Sequence, residues 1–268
     1  MPKRYRLAAV FAHPDDDTWM LAGTYVLGGD DLDLTVVVVS SGEAGMIADP
    51  SLATRENLAE VREAEERASL AVAGHADAAV HFLRYPDGGV AAEDRAELVE
   101  RIATILREAR PDVVVTFGPE GITQHEDHVA VSQATTEAFY RAREELGAGG
   151  PADEAGAPLQ RLYYSAVTET DLARMYEVMR AAGQEVDPDA PFMPRAVPDH
   201  TITVRVDTSS VADGKYAALS EHATQSDEIQ AFTEVDRDLM LSAERFVQAW
   251  PPVTDPDGPI AGSLFDDL

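Results

Sequence analysis

Cysteine is absent from the 268-residue sequence, and this absence removes several kinds of site. Disulfide frameworks, iron–sulfur clusters, cysteine-rich zinc sites and cysteine nucleophiles all need a thiol. Any metal must therefore be held by histidine, aspartate or glutamate. The sequence also lacks a GxGxxG pattern after its first predicted strand, a GxxxxGK[ST] pattern and a GxSxG pattern. We therefore expect no dinucleotide fingerprint, no P-loop and no nucleophile elbow.

Basic residues are scarce. There are 21 Lys+Arg against 49 Asp+Glu, which gives a net charge of −28, and the lysines are Lys3 and Lys215. Nucleic acids and anionic membranes bind basic surfaces, so we expect neither as a partner. The acidity is compatible with adaptation to high salt or with a GC-rich genome. The first interpretation predicts a melting temperature that rises steeply in molar KCl.

Long apolar runs are also missing. No run approaches the roughly 18–20 residues of a membrane span. The N-terminus, MPKRYRLAAVFAHPDDD, has basic residues before an apolar stretch at 7–12, but this stretch ends in charge after six residues. It predicts a first strand instead of a signal peptide, so the cytoplasm is the expected location.

Short apolar runs alternate with helical patterns along the first half of the chain. Strands are predicted at 6–11, 34–39, 80–83 and 113–117, and helices at 54–73, 92–110 and 125–146. The runs LTVVVV and VVVTF are continuously apolar, as in strands buried on both faces. This alternation predicts an α/β fold, Rossmann-like and doubly wound around a mostly parallel sheet.

The second half of the chain is less regular. Residues 147–158 are small and polar, which is typical of a flexible surface loop. Beyond them we predict strands at 162–167 and 201–206, and helices at 171–182, 211–222 and 236–250. We expect a single domain over 1–250, with C-terminal additions to the core fold, and a loose tail at 251–268.

Polar side chains follow the predicted strands of the first half. The sequence HPDDD follows the first strand, SSGEAG the second, RYPDGG the third and GPEGITQHEDH the fourth. In a doubly wound sheet, ligands bind beyond the carboxyl ends of the strands. We therefore expect these four segments to meet at one edge of the sheet.

Two of these segments place histidine beside carboxylates, a combination that suits zinc and also iron, manganese or cobalt. His13 and Asp16 share a tight loop, whereas His125 and His128 are spaced to share one face at a helix start. Three protein ligands with an open fourth position would make a catalytic zinc site. Asp15, with either His125 or Asp127, would then supply acid–base chemistry.

Each motif alone has a simpler interpretation. HPDD is typical of a turn, and HxDH is typical of a helix start whose acids complement the helix dipole. Their joint occurrence, each after a buried strand, favours the metal site.

AHPDD after the first strand, together with HxDH after a later one, resembles the LmbE-like, or PIG-L, family. Its members are zinc-dependent N-deacetylases of N-acetylglucosaminyl compounds, and they include mycothiol- and bacillithiol-type deacetylases and thiol S-conjugate amidases. The resemblance covers residues 5–230. It includes GEAG at 42–45, Arg62 followed by Glu65, and KYAALSEHATQ at 215–225, which is similar to a pattern of the amidase members.

The resemblance implies roles for individual residues. It implies that His13, Asp16 and His128 hold one Zn²⁺ per chain, with Fe²⁺ as an alternative metal. Asp15 would be the general base. His125 would stabilise the tetrahedral intermediate or protonate the leaving amine, and Asp127 would orient His125.

The resemblance also implies substrate contacts from Glu43, Arg62, Asp87 and His222. For Arg62 a surface ion pair is the simpler alternative, and for His222 an exposed helix position. The chain departs from the family pattern around HxDH. Thr123, Gln124 and Glu126 stand where some or most members have tyrosine, glycine and proline, but no implied metal ligand is lost.

The resemblance therefore implies a zinc-dependent amide hydrolase that removes the acetyl group from an N-acetylglucosamine-type substrate through a metal-activated water. One alternative is a thiol S-conjugate amidase of the same family. An alternative of another class is a noncatalytic, metal-containing module that binds sugars or nucleotides. The expected partner is a small amino sugar or conjugate, and the acidic surface is compatible with a homo-oligomer.

Overall fold

A computed structural model describes residues 4–147, 157–190 and 193–268. The predicted loop at 147–158 lies outside the described residues except at its two ends. The strands are β1 (Tyr5–Phe11), β2 (Leu32–Ser40), β3 (Ala79–Tyr85), β4 (Val113–Phe117), β5 (Arg161–Ser165), β6 (Val167–Thr168), β7 (Ala196–Val197), β8 (Val204–Asp207) and β9 (Ala243–Trp250).

Seven of these strands form the central sheet, in the order β3-β2-β1-β4-β5-β9-β8. The strands from β3 to β5 pair in parallel, whereas β9 pairs antiparallel with both β5 and β8. Strands β6 and β7 form a separate parallel pair. β4 is buried along its whole length, as its continuous apolar sequence predicts.

Helices flank the sheet in two layers. They are α1 (Asp16–Gly28), α2 (Leu58–Val72), α3 (Arg95–Ala109), α4 (Gly121–Gln124), α5 (Glu126–Glu145), α6 (Glu169–Ala181), α7 (Ala212–Ser220), α8 (Ser226–Val235) and α9 (Arg237–Leu241). Helices α1, α2 and α7 pack together, and α3 packs against α5. No helix in the described ranges is long and apolar enough to cross a membrane. The predicted doubly wound, mostly parallel α/β fold is confirmed.

The structure differs most from the prediction at 236–250, where one helix was expected. The structure has the short helix α9 followed by strand β9. The sequence of β9, AERFVQAW, carries several good helix formers. Pairing with strands on both sides outweighs that local preference. Helices α1 and α8 were not predicted.

The C-terminal segment also differs from the predicted loose tail. The N–H of Ala261 donates to the carbonyl oxygen of Thr203 (2.9 Å), which extends the pairing at β8. Leu264 is buried in the main core, and the ring of Phe265 stacks on Tyr5 with centroids 4.6 Å apart. Residues 261–265 therefore pack against the domain.

Candidate metal centre

The carboxyl ends of β1, β3 and β4 bring the predicted site residues together. The loop between β1 and α1 carries His13, Asp15 and Asp16, and the start of α5 carries His128. The ring centroids of His13 and His128 are 5.1 Å apart, and those of His13 and His125 are 5.0 Å apart. The predicted meeting of the strand-end segments is therefore present in the fold.

Three donor groups face one another at the spacing that a tetrahedral metal needs. Nδ1 of His13 lies 3.3 Å from Oδ2 of Asp16 and 3.2 Å from Nε2 of His128. Nε2 of His128 lies 3.4 Å from Oδ1 of Asp16. Ligands held about 2.0–2.1 Å from a tetrahedral zinc are about 3.3 Å from one another. Each pair of side chains therefore lies close to this spacing, and Asp16 faces His13 through Oδ2 and His128 through Oδ1.

The outer contacts of the two histidines direct their lone pairs inward. Nδ1 of His128 lies 3.0 Å from the carbonyl oxygen of Gly121, which can only accept, so this nitrogen carries the hydrogen. Nε2 of His13 lies 3.1 Å from Oδ1 of Asp87 and 3.4 Å from Oδ2 of Asp127, so it also carries a hydrogen. Two lone pairs and a carboxylate then converge, an arrangement that a cation would satisfy.

Without a cation, a proton takes part of this role. Burial by itself lowers the pKa of His13, but Asp127, Asp16 and Asp87 together raise it well above its usual value. Burial raises the pKa of Asp16, but His128 and His13 hold it well below the usual range. The site therefore stabilises positive charge between these side chains.

Other sets of residues could also hold a metal ion. His13, His125 and His128 offer ligand atoms within 4.8 Å of one another, and so do His13, Asp87 and Asp127. Both sets include His13. The first set is the main competitor, because it replaces the Asp16 carboxylate with the His125 ring.

Asp127 has a different position from the predicted one. Its carboxylate accepts hydrogen bonds from the backbone N–H groups of Gly88 (2.7 Å) and Val90 (3.0 Å), and it contacts His13 as described above. It therefore orients His13, whereas the prediction had it orienting His125. It is the backbone N–H of Asp127 that donates to Nδ1 of His125 (3.2 Å), which leaves the hydrogen of the neutral ring on Nε2.

Asp15 lies beside the proposed ligands in an unusual backbone conformation, with φ at 110°. Its Oδ2 accepts a hydrogen bond from Nη2 of Arg62 (3.0 Å), and its N–H donates to Oε2 of Glu66 (3.2 Å). Burial raises the pKa of Asp15 to about 8, against the opposing effect of Arg62. A nearby divalent cation would favour its ionised form.

Three of the residues predicted to contact the substrate also brace the loops. Arg62 is 4% exposed, and it donates to the carbonyl oxygens of Pro14 (2.6 Å) and Gly42 (3.1 Å). Oε1 of Glu43 accepts from the N–H of Asp87 (2.9 Å). Asp87 in turn accepts from the N–H of Ala44 (2.8 Å) and supports His13. The described contacts of these residues hold the site together.

His222 is buried, contrary to both expectations for it. It is 0% exposed, its Nε2 lies 3.1 Å from Oγ1 of Thr18, and burial lowers its pKa to about 3. In the same segment, Thr224 donates through its N–H (2.8 Å) and its hydroxyl (2.7 Å) to Glu65. Buried hydrogen bonds of Thr224 therefore join α2 to the end of the stretch that resembles the amidase pattern.

Two residues next to the site, Glu66 and Phe117, were not predicted from the sequence. Glu66 holds the backbone of Asp15, and the ring of Phe117 stacks on His128 with centroids 4.1 Å apart and planes 8° apart. Phe117 is the last residue of β4, so its place at the end of a buried strand was a usable signal. Glu66 is one of several acids on a helix, and nothing in the sequence distinguished it.

Comparison with known proteins agrees with this geometry. A model of the family described as PIG-L, GlcNAc-PI de-N-acetylase, matches residues 8–139. A 1D-myo-inositol 2-acetamido-2-deoxy-alpha-D-glucopyranoside deacetylase of Rhodococcus erythropolis is 32% identical over 244 residues, which cover 82% of this chain and 81% of that relative.

Two solved structures show the same fold. The N,N'-diacetylchitobiose deacetylase of Pyrococcus horikoshii has a TM-score of 0.63 at 20% identity, covering 91% of this chain and 83% of that one. The 4-carboxy-2-hydroxymuconate hydratase of Pseudomonas putida KT2440 has a TM-score of 0.62 at 20% identity, covering 94% and 98%. Since a deacetylase and a hydratase share the fold, these likenesses do not decide the reaction. On the identity to the Rhodococcus relative, supported by the family model, this chain belongs to the PIG-L family.

Proposed function

We propose that this chain is a metal-dependent deacetylase that hydrolyses the acetamide of an N-acetylglucosamine-type substrate to acetate and a free amine. The observation that carries the proposal is the mutual facing of Nδ1 of His13, the Asp16 carboxylate and Nε2 of His128, with Asp15 alongside. The relatives named as deacetylases of a 2-acetamido-2-deoxyglucopyranoside support the substrate class.

We propose zinc as the metal, held by His13, Asp16 and His128, with Fe²⁺ as the alternative. These two imidazoles and one carboxylate are ligands that zinc accepts, and three protein ligands leave a position open. When bound, the ion would supply a Lewis acid for the amide carbonyl and would lower the pKa of a water.

The remaining residues of the centre divide the proton transfers. Asp15 accepts a proton from the attacking water as the new C–O bond forms. Nε2–H of the neutral His125 ring, set by the bond at Nδ1, donates a hydrogen bond to the developing oxyanion. Asp15 then passes the proton that it took from the water to the leaving nitrogen as the C–N bond breaks. Arg62 holds Asp15 in place through the bond to its carboxylate.

The experiment is a measurement of amine release from a panel of substrates with chelator-stripped and zinc-loaded protein. The panel contains N-acetylglucosaminyl inositol, N,N'-diacetylchitobiose and a thiol S-conjugate amide. We expect zinc to restore release from at least one N-acetylglucosaminyl compound. No release from any compound by protein that binds zinc would contradict the proposal and point to a binding module.

The thiol S-conjugate amidase is the second candidate, and the panel tests it directly. Its support was the segment at 215–225, in which His222 and Thr224 are fully buried. We therefore expect release from the acetamido sugars to exceed release from the conjugate.

A further inference from the structure

The segment between β4 and α5 carries backbone strain next to the candidate metal centre. Gly121, Ile122 and Gln124 all have positive φ, at 67°, 60° and 59°. Glycine adopts this region at no steric cost, but a β-branched isoleucine there is an outlier. Such strain persists only where the surrounding structure holds it.

One residue from a distant part of the chain fastens this segment at two points. The N–H of Arg195 donates to the carbonyl oxygen of Ile122 (2.5 Å), and its Nε donates to Oε1 of Gln124 (2.8 Å). Nη1 of Arg195 also donates to the carbonyl oxygen of Pro188 (3.0 Å). Arg195 directly precedes β7, whose pairing with β6 fixes its position.

Residues 121–124 fix the positions of two histidines, His125 and His128. The carbonyl oxygen of Gly121 accepts from Nδ1 of His128, which fixes the tautomer of the proposed ligand. His125 follows Gln124 directly and forms the N-cap of α5. A shift of residues 121–124 would therefore move the acceptor of one histidine and the backbone of the other.

We propose that Arg195 is a positioning residue of the metal centre, acting through Gln124 and the strained backbone of 121–124. Oε1 of Gln124 accepts the hydrogen bond from the Arg195 guanidinium, and this bond keeps residues 121–124 in their strained conformation. The inference rests on the proposed function for the identity of the site. Its test is the affinity for zinc, which needs no turnover.

The test compares Arg195→Ala, Gln124→Ala and the double variant by zinc competition with a chromogenic chelator. Arg95→Ala is the matched control, because Arg95 is also a surface arginine that bonds a glutamine and a glutamate of α5, Gln133 and Glu137. We expect each single variant to lose about three- to tenfold in zinc affinity. This is less than the ~10–100-fold of a partner that contacts a ligand directly. The double variant should lose no more than the larger single loss, because the two residues act through one bond.

A further variant separates positioning from a purely structural role. Gln124→Gly suits a φ of 59° and should melt at a higher temperature than Gln124→Ala. Its zinc affinity should nevertheless be no better than that of Gln124→Ala, because the acceptor for Arg195 is gone. A structural role would instead make zinc affinity follow melting temperature across all variants, including Arg95→Ala.

The outcomes distinguish this inference from the proposed function. Unchanged zinc affinity in Arg195→Ala, or strictly additive losses, would overturn the positioning role and leave the deacetylase proposal standing. Failure of the unaltered protein to bind zinc would overturn both. Absence of turnover with normal zinc binding would overturn only the proposed function.

Discussion

The two loops that build the metal centre reach their geometry by different means. The loop after β1 has one positive φ, at Asp15, and it is held by two side chains of a single helix, Arg62 and Glu66 of α2. The segment after β4 carries three positive φ angles and is fastened by Arg195, 71 residues from Gln124. A short motif thus supplies donor atoms in both loops, but their orientation comes from elsewhere in the fold.

The largest effect is expected from Asp16→Asn, which changes a proposed metal ligand and leaves the proposed base, Asp15, in place. Asp16→Asn replaces one of the three facing donors with a neutral amide. We expect zinc affinity to fall by more than ~100-fold, which is the upper value for losing a residue that only contacts a metal ligand. We also expect turnover to be lost. Zinc competition and amine release measure the two effects. Normal zinc affinity in this variant would remove Asp16 from the ligand set.

Asp15→Asn should behave in the opposite way. Its carboxylate is placed as the base, so we expect turnover to fall by about 10²–10⁴-fold while zinc affinity changes little. The measurement is kcat with zinc-saturated protein. Turnover close to that of the unaltered enzyme would show that another group accepts the proton.

Which features of the two loops could be predicted from the sequence depends on how far apart in the chain the contacting residues lie. HPDDD and HEDH each lie within a few residues, so the donors and the strand ends could be identified from local pattern. The bond from Asp127 to His13 and the bond from Arg195 to Gln124 join residues far apart in the chain, and no periodicity encodes them.

The same limit applies to the fold. The buried strand VVVTF was predicted at its observed bounds, because a continuous apolar run needs no partner to be recognised. The strand β9 was predicted as a helix, because its character comes from pairing with β5 and β8. His222 was assigned to substrate because it lies in the segment that resembles the amidase pattern. Its burial comes from the packing of distant helices, which the local sequence does not encode.

The next largest effect is expected at Asp127, whose carboxylate contacts Nε2 of His13. In Asp127→Asn, the amide no longer attracts the Nε2 hydrogen of His13 as a carboxylate does, so we expect zinc affinity to fall about 10–100-fold. Glu43→Gln is the matched control, since Glu43 contacts Asp87 instead of His13. Equal losses in the two variants would contradict a specific role for Asp127.

A smaller effect is expected on the β1 side, where Glu66 holds the N–H of Asp15. Burial raises the pKa of Glu66 well above its usual value, which favours the neutral form that glutamine resembles. We therefore expect Glu66→Gln to retain turnover within a few-fold. Glu66→Ala should lose more, because it leaves a buried N–H unpaired at a cost of about 1–3 kcal/mol. Similar turnover in both variants would show that this bond does not position Asp15.

The smallest functional effect is expected at His222. His222→Ala removes the contact with Thr18 and opens a cavity, so the melting temperature should fall. The KM for the best substrate should stay unchanged, because the side chain has no exposed surface. A raised KM with an unchanged melting temperature would restore the role in substrate binding.

The central claim is that His13, Asp16 and His128 form the metal centre, and zinc content tests it most directly. The measurement is zinc bound per chain after equilibration against a weak chelator, for the unaltered protein, Asp15→Asn and Asp16→Asn. We predict about one zinc per chain in the first two and loss of zinc in Asp16→Asn. Full zinc content in Asp16→Asn would contradict it and would favour the set of His13, His125 and His128.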